Sequence, residues 1–225
     1  LSRNQLIILG SALAVIVLAA ILYFTVFQGS SDNGTGLSGT QQRAGVTVLS
    51  DDRTLGSPKA PVVVLEYAAP SCPHCAHFDM DIFPILKKQY IDTGKVFYIF
   101  RVFPISAVDG AAESMARCLP ADNYFPFIDL LFRNQKQWDP EFGITDVHAG
   151  LIQMGRIAGM SADQVDACIK DEAKADRTNK VAQDGTTKYN IQGTPTFIID
   201  GLVQPSGVVP WPTMQNIINS ELSKK

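Results

Sequence analysis

Hydrophobic and polar positions divide the chain into an apolar start, a polar middle and a patterned remainder. Residues 6–27, "LIILGSALAVIVLAAILYFTVF", run 22 positions without a charge. At helical rise that length spans the hydrocarbon core of a bilayer. The run ends in bulky "ILYFTVFQ" rather than a small-x-small cleavage site, so it is read as a retained transmembrane anchor and not a signal peptide. Arg3 lies in the short stub 1–5, and the other flank has no Lys or Arg until Arg43. That bias leaves the stub in the cytoplasm and exports the C-terminal remainder of the chain. Residues 28–45 are rich in Gly, Ser, Thr and Gln, the composition of a flexible linker with a reach of about 20–25 Å.

From residue 46 to 225 the pattern is that of a folded domain. "APVVVLEYAAP" is a short, β-rich apolar run that suits a strand covered on both faces. A helix is expected from near Ser71, with Pro73 in its first turn where a missing N–H does no harm, and Pro84 is expected to kink or end it. "KVFYIFRVFP" reads as a second buried strand, completing a parallel crossover. Residues 106–189 then carry helical spacing. Ala111, Met115 and Cys118 share one face, Ile144, Val147, Leu151 and Ile152 another, and "SADQ" at 161–164 forms a capping box. "TPTFIIDGLV" returns to strand, with Asp200-Gly201 as a hairpin turn, and Met214, Ile217 and Ile218 give the last helix one apolar face.

Composition changes this picture little. A formal charge of -3 provides no basic surface for nucleic acid. The four cysteines matter more, because an exported chain lies where disulfides persist. Cys72 and Cys75, with two residues between them at a helix start, have the spacing of a redox pair. Cys118 and Cys168 look like a staple, with two separate buried thiols as the alternative. Cys72 at a helix N-terminus gains from free amides and the helix dipole, and His74 adds to them, which favours the thiolate. A metal site at Cys72, His74, Cys75 and His77 is disfavoured, since these side chains diverge and no second Cys or His pair supplies further ligands. Phe125, Phe127 and Trp138 are expected in the core of the insertion, and His148 on a helix surface.

"CPHC" after a buried strand, Glu66 six residues before Cys72, and Thr194-Pro195 before the late hairpin together resemble the DsbA-type thiol:disulfide oxidoreductases over roughly residues 46–225. The resemblance implies an α/β thioredoxin fold with an inserted helical domain at about 106–189, here preceded by one transmembrane helix. It implies Cys72, Pro73, His74 and Cys75 as the redox motif, with Glu66 as a buried acid assisting proton transfer at Cys75. It further implies a cis Pro195 facing the cysteines, with the backbone of Thr194 pairing with substrate. No cofactor or metal is implied. The expected protein is a bacterial inner-membrane, single-pass oxidase with a monomeric catalytic domain in the periplasm. Its clients would be cysteine-containing exported polypeptides, and a quinone-linked reoxidase of the DsbB type would restore it. Thr194 keeps an isomerase or reductase in view, because strong oxidants of the family carry valine there. Dedicated isomerases, however, usually have a dimerisation domain where this chain has an anchor and linker. A non-enzymatic metal-binding or holdase role is the remaining alternative.

Overall fold

The structure, a computed structural model, describes residues 41–43 and 45–225. The expected stub 1–5, the anchor 6–27 and nearly all of the linker 28–45 lie outside the described residues. Among the described residues, no helix is long and apolar enough to cross a membrane. The end of the expected linker is a strand instead. β1 (Gln41–Arg43) pairs antiparallel with β2 (Val46–Val48), and Gly45 takes a positive φ of 76° in the turn between them.

A five-stranded sheet organises the rest, built from β3 (Arg53–Leu55), β4 (Val62–Ala68), β5 (Val96–Val102), β6 (Thr196–Ile199) and β7 (Leu202–Val203) in the order β3-β5-β4-β6-β7. Only β4 and β5 run parallel; the other pairings are antiparallel. Every residue of β4 and β5 is buried because the sheet has a hydrophobic core on each face. This is why the sequence reads as continuous apolar runs rather than an alternation. The β6–β7 turn places Asp200 and Gly201 at φ 48° and 91°, the pair of positive angles a two-residue hairpin requires.

The crossover from β4 to β5 is one unbroken helical run, α1 (Pro73–His77), a π turn (Phe78–Ile82), α2 (Phe83–Leu86) and a second π turn (Lys87–Ile91). Pro84 therefore does not end it. Its ring would press on the carbonyl four residues back, and the wider π turn falls just before it, where the Phe83 N–H bonds to the Phe78 carbonyl.

Between β5 and β6 lie the inserted helices, α3 (Ala107–Cys118), α4 (Tyr124–Arg133), α5 (Gln135–Trp138), α6 (Val147–Ile157), α7 (Ala162–Ile169) and α8 (Glu172–Tyr189). Ser161 and Gln164 form the expected capping box at α7. A disulfide joins Cys118 at the end of α3 to Cys168 in α7, with 6.2 Å between Cα atoms. Phe127 and Trp138 are core, Phe125 is half-buried, and His148 is an exposed partner of Asp166 at 2.6 Å. α8 packs on the opposite sheet face, close enough that a Cβ on Gly185 would stand 2.8 Å from the Tyr67 ring. The last helix, α9 (Trp211–Leu222), buries Met214 and Ile218.

Candidate active site

Side chains of β4 alternate between the two cores. Val62, Val64 and Ala68 enter one, and Val63, Leu65 and Tyr67 the other. Period two therefore puts Glu66 on the face carrying Val64 and Ala68, the face covered by α1. Beyond β4 the chain turns through Pro70 and Ser71, and Cys72 becomes the N-cap of α1, with Pro73 as its first residue.

Both cysteines are reduced and buried, Cys72 at 4% exposure and Cys75 at zero. The Cys72 sulfur accepts the Cys75 N–H at 3.4 Å, and its S–H donates to the Thr194 carbonyl at 3.4 Å. The Thr194–Pro195 bond is cis. Glu66 is almost fully buried and accepts a hydrogen bond from the Tyr98 hydroxyl of β5.

These contacts separate the acidities. The Cys72 thiol is drawn down to about 6, first by hydrogen bonding from the Cys75 side chain; desolvation opposes this, and the Thr194 side chain and the Cys75 and His74 amides assist. Burial drives Cys75 well above the usual thiol range, and the neighbouring Cys72 sulfur and the Glu66 charge push the same way. Glu66 is raised to about 8 by desolvation, against the Tyr98 hydrogen bond and with the charges of Asp79 and Cys72 adding to the rise. A thiol that ionises readily therefore lies beside one that does not, above an acid that is mostly protonated at neutral pH.

His74 departs in part from its expected role. Its imidazole is exposed, and it is the backbone amide that stabilises the sulfur. His77 bonds Asp81 at 2.7 Å on the outer surface. Among the described residues, no group of three or more His, Cys, Asp or Glu side chains is placed to hold a metal.

Sequence reasoning missed Tyr98 and Asp79. Tyr98 stands among apolar residues of a buried strand, where a hydroxyl demands a partner. Asp79 follows Cys72 by seven residues, on the same side of the helical run. Burial and its neighbour Asp129 raise its pKa to about 7, and both acids line a cleft of about 730 Å³ beside Phe83 and Phe125.

A dithiol held at a helix start on a parallel crossover, facing a cis-proline turn, defines the class of thioredoxin-fold dithiol proteins. Residues 49–219 match the family described as Thioredoxin, and the chain belongs to it. Within that superfamily it is of the DsbA type. A Rickettsia typhi protein named for protein-disulfide oxidoreduction is 34% identical over 158 residues, covering 68% of this chain and 56% of the relative. The chain thus spans little more than half the length of such relatives. A Bacillus cereus protein named for disulfide bond formation is 29% identical over 233 aligned positions, covering the whole of both chains. Among solved structures, alpha-DsbA1 of Wolbachia pipientis superposes with a TM-score of 0.71 at 30% identity, over 79% of this chain and 94% of that one. The helical insertion in an α/β thioredoxin-like fold is therefore a family feature.

Proposed function

We propose that this chain is a thiol:disulfide oxidoreductase that introduces disulfides into exported polypeptides through Cys72 and Cys75. A client thiolate attacks the Cys72 sulfur of the oxidised pair, forming a mixed disulfide and expelling Cys75 as thiolate. Cys75 takes a proton from Glu66, which holds it less tightly at about 8 than the strongly raised thiol does. A second client thiolate then attacks the client sulfur of the mixed disulfide. Cys72 leaves as a stable thiolate, the client carries away the disulfide, and the protein remains with two more electrons. The observation that carries this reading is the Cys72 sulfur set as a helix N-cap and accepting the Cys75 N–H at 3.4 Å, which favours the thiolate; a stabilised reduced form makes the disulfide a strong oxidant.

Thr194, whose carbonyl lies 3.4 Å from the Cys72 sulfur, presents the backbone on which an extended client pairs. A membrane anchor at 6–27 and a periplasmic catalytic domain fit the charge-free N-terminal run, and a quinone-linked reoxidase of the DsbB type fits the need to remove two electrons per cycle. The test is to mix oxidised protein with reduced, unfolded client. Stoichiometric client disulfides are expected, and none from Cys72→Ser; an oxidised protein that gives no client disulfides ends the proposal. Threonine before the cis-proline favours isomerisation or reduction as the second reading. An equilibrium with glutathione close to that of thioredoxin selects it.

A further inference from the structure

Two buried polar side chains of the helical insertion grip the loop that carries the nucleophile. Asp109, fully buried at the start of α3, accepts the Ser71 N–H through one oxygen at 2.8 Å. Its other oxygen accepts the N–H groups of Ile105 at 3.0 Å and Ser106 at 2.9 Å and the Ser106 hydroxyl at 3.2 Å. Gln135, 6% exposed at the start of α5, spends one amide nitrogen on two carbonyls, Pro70 at 2.8 Å and Cys72 at 3.1 Å. The Cys72 carbonyl also accepts the Ala76 N–H at 3.1 Å, and the Cys72 N–H reaches the Ala69 carbonyl at 3.0 Å. Both backbone groups of Cys72, the Ser71 N–H and the Pro70 carbonyl are thus hydrogen-bonded.

We propose that Gln135 and Asp109 are positioning residues through which the helical insertion sets the oxidising strength of the Cys72–Cys75 pair. The sulfur is stabilised as an anion by amides on the far side of a single peptide turn, and such contacts weaken steeply with misalignment. Gln135 fixes the carbonyl ends of the residues flanking Ser71, and Asp109 fixes the amide between them. Gln135 also brings the positive end of its amide dipole to the Cys72 peptide, so loosening and electrostatics act in the same direction when it is removed. The proposal rests on Cys72–Cys75 being the redox pair.

The test uses Gln135→Met in the full chain, a change close in size that removes both donors. The Cys72 thiolate titration is expected to rise by about one unit, which at pH 7 weakens the disulfide as an oxidant about fivefold against glutathione. The gap in melting temperature between oxidised and reduced protein should narrow accordingly. If both forms lose stability equally while titration and glutathione equilibrium stay fixed, Gln135 is merely structural and the inference fails. A second measurement needs no variant. The Gln135 side-chain amide resonances of the native protein should move with the Cys72 titration, and resonances flat across it overturn the idea. An unsubstituted protein that is a poor oxidant defeats the proposed function instead, while the comparison of titrations still decides the role of Gln135.

Discussion

Glu66→Gln separates the burial of an acid from its chemistry. In the unfolded chain this carboxyl titrates near 4.5, and in the fold near 8. The folded state therefore holds a proton that the unfolded state has lost throughout that interval, and stability falls as pH rises across it. At pH 7, about 2.5 pH units above the unfolded value, this amounts to about 3–4 kcal/mol of lost stability, at about 1.4 kcal/mol per pH unit. Glu66 is 2% exposed, so solvent screening removes little of this. Glutamine keeps the size of the side chain and an acceptor for the Tyr98 hydroxyl, yet has no charge to bury. Urea unfolding at pH 4.5 and pH 7 should give variant and unsubstituted protein of near-equal stability in acid and a variant more stable by about 3–4 kcal/mol at neutrality. Parallel pH profiles would mean that Glu66 is already ionised in the fold and that desolvation does not govern its acidity. The same substitution should slow exchange steps that need a proton moved at Cys75 by roughly a hundredfold, the low end for a positioned acid or base, because water can partly replace it.

Reduced protein should show a thiolate absorbance titrating near pH 6 that vanishes in Cys72→Ser. Because the folded pKa is depressed, the reduced form gains stability as pH rises from 6 towards the ordinary thiol range near 9 and loses it as pH falls through 6; a reduced-minus-oxidised melting difference independent of pH contradicts this. Replacing Cys118 and Cys168 together by serine opens a link across 50 residues and should lower unfolding free energy by about 4 kcal/mol on chain-entropy grounds, read by urea titration; an unchanged midpoint removes the staple role. Arg101→Leu strips the buried Asp52 carboxylate of its 2.6 Å partner, leaving Arg177 at 3.6 Å, and should cost about 3 kcal/mol, partly recovered by Asp52→Asn in the same chain; no recovery would place the loss in packing rather than in a weakened charge pairing.

Features that repeat along the chain were legible. Two apolar runs became β4 and β5, Asp200-Gly201 became the hairpin turn, and Ser161 with Gln164 became a cap, because each signal depends on neighbours a few residues apart. The β1–β2 hairpin and the β3 edge were missed because strands of three residues with polar members carry too little pattern to read. Pro84 is expected to kink or end its helix, and only the ending fails: local chemistry disfavours an α turn, and packing between the sheet and α4 sustains a helical run that widens instead of breaking.

The site divides in the same way. Cys72, Cys75 and Glu66 lie within ten residues of each other, and strand period plus helix start suffice to bring them together. Asp109 shows where such reasoning ends. Three residues after Ser106 at a helix start, it reads as an ordinary capping acid, and one of its oxygens does that work. The other holds the amide of Ser71, 38 residues earlier in the chain, and no local pattern encodes that meeting. It arises because the insertion returns to the sheet at the crossover loop. There a buried N–H needs an acceptor, and the cap already present supplies its unused oxygen. The insertion thus reaches the redox loop through ordinary capping chemistry with one valence to spare.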